Sequence, residues 1–204
     1  MSAFRYLAMG DSYTIGEQVP LAGNFPMQVA ALLREQGMDL EDPQIVAKTG
    51  WTTDELQAGI KDADIKGRFD LVTLLIGVNN QYRGRNLDAY VLEFAQLLDD
   101  AIDFANGLPQ HVVVLSIPDW GATPFAEGKD RAKIAQEIDE FNATKAGLAM
   151  AKGCGYLDIT PSTRAHAGTP GYLADDGLHP SALEYAGWAA RLSEIAKDIL
   201  VKNR

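Results

Sequence analysis

Asp176 and His179 stand three residues apart, about one helical turn. At that spacing a carboxylate can accept from the imidazole Nδ1–H, which fixes the tautomer and leaves Nε2 free as a base. The other two histidines lack this arrangement. His111 opens an apolar run, which puts it at the wrong end of a strand, and His166 falls in a loop with no carboxylate close in sequence. A base of this kind serves a nucleophile. Of Ser2, Ser12, Ser116, Ser162, Ser181 and Ser193, only Ser12 and Ser116 directly follow or end a central apolar run. Ser12 comes after Gly10 and Asp11, in a tight turn that can present its hydroxyl. Attack on a carbonyl also needs donors aimed at the developing oxyanion. Gly50 can bring a backbone N–H close, Asn79 carries a side-chain amide, and the Ser12 N–H is a third candidate. Each piece alone has a bland reading. Gly-Asp-Ser and Gly-x-Asn are common turns, and Asp-x-x-His is a common helix start.

The elements that must position these groups alternate along the chain. Strand-like runs are expected at Phe4–Met9, Gln44–Ala47, Asp70–Ile76, His111–Ile117 and Gly155–Ile159. Between them, helical periodicity covers Phe25–Gln36, with Asn24 as cap and Gly37 as stop. A further helix starts at Thr52, with Glu55 at capping-box spacing. Others are expected over Leu87–Ala105, Asp130–Ala151 and Ser181–Val201, and Thr160–Pro180 reads as a looser stretch. Such alternation predicts a parallel sheet covered on both faces. The expectation is one α/β domain over residues 1–204: a flavodoxin-like three-layer α/β/α sandwich with about five parallel strands in the order 2-1-3-4-5. The segments after successive strands then meet on one rim, where open parallel sheets bind ligands. Ser12, Gly50, Asn79, Ser116, Asp176 and His179 all fall in such segments.

Taken together, Gly10-Asp11-Ser12-Tyr13, Gly50, Gly77-Val78-Asn79 and Asp176-Gly177-Leu178-His179-Pro180 resemble the blocks of the SGNH hydrolases, the GDSL esterase/lipase family. They fall in the family's order and span almost the whole chain. The resemblance implies Ser12 as nucleophile, Asp176 and His179 as orienting acid and base, and Ser12, Gly50 and Asn79 as the oxyanion hole. It implies a cofactor-independent ester hydrolase, with short-chain acyl or acetyl esters as expected substrates. A thioesterase or an acyltransferase would use the same triad, and a non-catalytic binding module would keep only the fold. Tyr13 stands where leucine is usual, and Asn80 where aspartate often follows the block asparagine.

Other features set bounds. The 204 residues carry 18 Lys+Arg against 28 Asp+Glu, a net charge of −10. That balance disfavours nucleic acid and anionic membrane surfaces as partners, and a small-molecule ester is the expected one. The lone Cys154 excludes an intramolecular disulfide framework and reads as a packed, inert thiol. No apolar run reaches the roughly 18 residues of a spanning helix. Residues 1–9 read as strand rather than signal peptide, so the expected location is cytoplasmic. Asp11, Tyr13, Trp51 and Trp120 are candidate substrate contacts, and Phe125 can join Trp51 and Trp120 in lining a cleft. Arg83 and Arg85, just after Asn79, could hold a carboxylate or phosphate, but a solvated basic patch is the expected reading. A nucleophile elbow is absent, because Thr14 stands where its second glycine belongs. Gly153-Cys154-Gly155 follows a helix, so it is not a dinucleotide fingerprint.

Overall fold

The computed structural model describes residues 3–202. Met1, Ser2, Asn203 and Arg204, the ends of the expected 1–204 unit, lie outside them. Five strands form one parallel sheet: β1 (Tyr6–Gly10), β2 (Gln44–Ala47), β3 (Leu71–Leu75), β4 (Val112–Leu115) and β5 (Gly155–Leu157). Their spatial order is β2-β1-β3-β4-β5, as the alternation predicts. β1, β3 and β4 are buried along their whole length, which is why they read as unbroken apolar runs. Gly10 pairs with Ala47 on one side and Leu75 on the other, so three strand ends come level beside the first candidate segment.

The helices are α1 (Ser12–Ile15), α2 (Phe25–Glu35), α3 (Thr53–Asp62), α4 (Val78–Tyr82), α5 (Leu87–Phe104), α6 (Arg131–Lys152), α7 (Thr160–His166) and α8 (Ala182–Val201). Asn24 caps α2 by accepting from the Met27 N–H at 2.9 Å. The Glu55 carboxylate reaches back to the Thr52 N–H at 2.9 Å, the return half of the expected capping box. Phe25 of α2 meets Tyr185 and Trp188 of α8, with ring centroids 6.4 and 6.2 Å away.

Four elements differ from the sequence reading. The stretch from Thr160 is not loose at its start, because α7 occupies Thr160–His166 with proline in its first turn. Two short helices, α1 and α4, open directly after β1 and β3. His111 belongs to a 3-10 turn ahead of β4 rather than to the strand. In the α4 case Gly77 caps the turn at φ 125°, with the Tyr90 ring where a side chain would stand.

Candidate active site

Ser12 is the first residue of α1, directly behind the buried end of β1. The Asp11 carboxylate accepts from the Tyr13 N–H at 3.0 Å and so caps the turn that carries Ser12. From the opposite end of the chain, His179 brings its Nε2 to 3.0 Å from the Ser12 Oγ. His179 Nδ1 lies 2.6 Å from Asp176 Oδ2. A carboxylate at Nδ1 places the ring proton there, so Nε2 faces the serine hydroxyl as an acceptor.

The loop holding this pair is itself tied down. Asp176 Oδ1 accepts from the N–H groups of Leu178 and His179 at 2.9 and 3.0 Å. The Ala174 N–H donates to the His179 carbonyl at 2.9 Å, and Leu173 bridges Pro180. Burial by itself would raise the Asp176 carboxyl. The His179 ring, the two N–H groups and the His179 charge outweigh it and hold Asp176 below its ordinary range.

Of the expected oxyanion donors, Asn79 lines the same cleft as Ser12. Asn79 lies in α4 and donates from Nδ2 to the Trp51 carbonyl at 3.0 Å and to Asp11 Oδ2 at 3.4 Å. Gly50 follows β2 at φ 81°. Its carbonyl accepts from Arg83, which also pairs with Glu55 at 3.3 Å. Arg85 pairs with Asp54 at 2.5 Å. The two arginines thus stay solvated, as the patch reading expects, while pairing the turn after α4 with the start of α3. Asn80 accepts from the Thr53 N–H at 3.1 Å and donates to the Thr53 hydroxyl at 2.7 Å, a second fastener between the same helices.

The remaining candidates separate. Tyr13 and Trp120 line a cleft of about 120 Å³ that also contains Ser12, Asn79 and His179. Its outer wall is aromatic: Tyr82 meets Trp120 edge-on at 5.1 Å and Phe125 at 6.2 Å. The Trp51 ring lies against Gly59 of α3 instead. Asp11 is buried beneath the cleft floor and bonds to protein groups. Ser116, the other serine at a strand end, is committed to structure. It donates to Asp158 at 2.8 Å and accepts from the Ile159 N–H at 2.8 Å. Cys154 is half-buried, and burial pushes its thiol up to about 11. Among the described residues no group of three or more His, Cys, Asp or Glu is placed to hold a metal ion.

Sequence reasoning missed several participants. His166 does have a carboxylate partner, distant in sequence: Glu184 of α8 lies 2.6 Å from its Nδ1. The same buried carboxylate accepts from Ser162 and from the Trp188 indole, each at 2.7 Å. Asp11 and Lys145 are a second surprise. Burial raises Asp11 to about 7, against the Tyr13 N–H bond, the Lys145 charge and the Asn79 amide. Burial lowers Lys145 to about 7, against the Asp11 charge. The only sequence signal for Lys145 is its position in the apolar stripe of α6, in register with Ile134, Ile138, Phe141 and Ala149.

The model of the GDSL-like lipase/acylhydrolase family matches residues 8–186. No curated protein matches the sequence. Solved structures that share the fold include a lipase/acylhydrolase from Enterococcus faecalis, 20% identical, covering 96% of each chain at a TM-score of 0.73. The acetylxylan esterase Axe2 from Geobacillus stearothermophilus is 19% identical, covering 96% of this chain and 94% of its own at 0.71. The acetyl xylan esterase AlAXEase is 16% identical, covering 93% and 98% at 0.73. No helix among the described residues is long and apolar enough to cross a membrane.

Proposed function

The chain belongs to the GDSL-like lipase/acylhydrolase family, and from that premise we propose that it cleaves short-chain acyl esters, acetyl esters among them, through an acyl-enzyme on Ser12. The observation that carries this reading is the unbroken chain of bonds from Ser12 Oγ through His179 to Asp176.

In this reading His179 Nε2 takes the Ser12 proton as Oγ attacks the ester carbonyl carbon. Asp176 holds the ring and stabilises the imidazolium that forms. The tetrahedral oxyanion is met by the N–H groups of Ser12 and Gly50 and by the Asn79 amide, which releases the Trp51 carbonyl to donate to it. Collapse breaks the bond to the alcohol oxygen, which leaves with the proton from His179. Water, deprotonated by His179, then attacks the acyl-enzyme and regenerates Ser12. Residues 1–204 act as one catalytic domain. The cleft of about 120 Å³ suits a small acyl group. The recess beside it, behind Tyr13 and Leu178, has room for about 10 Å³, the space of one water. The acetyl xylan esterases among the structural neighbours support the same substrate size. A thioester, or an acyl acceptor other than water, would use the same groups, and nothing in the cleft favours either.

The test is hydrolysis of p-nitrophenyl esters from acetate to palmitate, with Ser12→Ala in parallel. The expected profile peaks at the shortest chains and falls at least about 10³-fold in the variant. A loss below about tenfold in Ser12→Ala would remove the nucleophile from this account.

A further inference from the structure

Lys145 is wholly enclosed, yet the catalytic cycle above does not use it. It projects from the buried stripe of α6, and its Nζ donates to the carbonyls of Ile76 at 3.2 Å and Leu115 at 2.5 Å. Both carbonyls lie beyond Leu74↔Val114, the last paired position of β3 and β4. Ile76 opens the segment that carries Gly77 and Asn79. The pairing of Gly10 with Leu75 puts Asp11 next to Ile76 across the strand ends, and across that spacing the buried ammonium and the buried carboxylate act on each other through their charges.

A buried carboxyl without a countercharge takes up a proton. Its protonation state matters here because Asp11 is surrounded by donors. Ionised, it only accepts, which suits the Tyr13 N–H and the Asn79 amide. Protonated, it must donate one O–H and gives up part of that capacity. We propose that Lys145 is a positioning residue for ester cleavage: its ammonium favours the ionised form of Asp11, and the ionised carboxylate holds the Asn79 amide and the Ser12 turn in place. The proposal rests on the Ser12 reading above.

The other groups facing this pair do not compete for the charge. Tyr13 of α1, Tyr90 of α5, Tyr156 of β5 and Tyr185 of α8 are all pushed upward by burial and stay neutral. β3 and β4 carry no ionisable side chain. Asp119, ahead of the 3-10 turn that packs on α6, is paired with Arg164 at 2.8 Å.

The experiment measures p-nitrophenyl acetate turnover and labelling by a serine-directed phosphonate over about pH 5 to 9. Wild type is compared with Lys145→Met, Lys145→Gln, Asp11→Asn and the double variant Asp11→Asn/Lys145→Met. In Lys145→Met, kcat near neutrality falls about tenfold, KM stays within about twofold, and the acidic limb moves to higher pH so that activity recovers in alkali. Lys145→Gln can still donate to the two carbonyls and is expected to move the limb in the same way; it carries the test if the methionine variant does not fold. In the Asp11→Asn background, adding Lys145→Met changes kcat by less than about twofold. A loss equal at every pH, a wild-type profile in Lys145→Gln, or full additivity with Asp11→Asn overturns the proposal. Wild type that resists the phosphonate, or Ser12→Ala that reacts with it, overturns the Ser12 reading and this one with it.

Discussion

His179 is held between two oxygens of different kinds, and the bond to Asp176 decides which nitrogen is free. Asp176→Asn keeps the shape but offers an amide that can donate to Nδ1, so the proton can move to Nε2 and block the base. The expected outcome is a kcat loss of about 10³-fold or more with KM little changed, read from ester hydrolysis. Asn79→Ala removes one oxyanion donor and should cost roughly 10²–10³ in kcat. The depressed carboxyl of Asp176 also fixes a sign. Its contribution to stability is present above the ordinary Asp value of 3.8 and is lost as pH falls through the lower folded value. At this scale much of the site is legible in the sequence. Asp176 and His179 are neighbours in the chain, and Ser12 sits in a turn whose residues announce it. Glu184 is illegible for the opposite reason, and Lys145 is betrayed only by its register in the apolar stripe of α6. A charge on a long helix ordinarily points to water, and only the packed partners reveal that Glu184 does not.

Helices and strands follow the same division. β2 is read to the residue because flanking turn residues bound its apolar run, and α2 to within one residue, since Asn24 and Gly37 mark its ends and the helix stops at Glu35. α1 and α4 are four and five residues long, too short for an apolar period to register. α7 is missed because its seven residues carry a proline and mixed polarity, while its fixing contacts lie elsewhere. One of those contacts links α7 to α8: Glu184 receives Ser162 and His166 of α7 and the indole of Trp188. His166 in turn meets the Tyr172 ring at a tilt, centroids 4.1 Å apart, at the root of the loop that carries Asp176 and His179. Glu184→Ala leaves the buried Trp188 indole N–H unpaired and removes the carboxylate partner of His166, at a cost of about 1–3 kcal/mol. A urea titration should show the midpoint falling with the slope unchanged. An unmoved midpoint would mean that α7 and α8 are held together by apolar packing alone.

For the molecule as a whole, the buried Lys145 sets activity against stability. The sheet keeps a cation among Phe94, Ile76 and Leu115, where an apolar side chain of the same length would pack at least as well. The lysine's folded value lies near 7 against 10.5 when exposed. Between those values the unfolded chain binds one more proton than the folded one, so stability attributable to this residue rises with pH. Below about 7 the full penalty of a buried charge is present; by about 10.5 it has been relieved. Lys145→Met removes that slope. The variant should therefore be more stable than wild type at about pH 6, by roughly 1–3 kcal/mol or several degrees in Tm. The advantage should shrink steadily toward about pH 10. Asp11 adds to the same trend, because without its counterion it is costlier to ionise as pH rises. Thermal melts of the two proteins across this range test the idea directly. A wild type that is the more stable protein at about pH 6 would show that the two carbonyl bonds outweigh desolvation, and that Lys145 is retained for the fold itself rather than for Asp11.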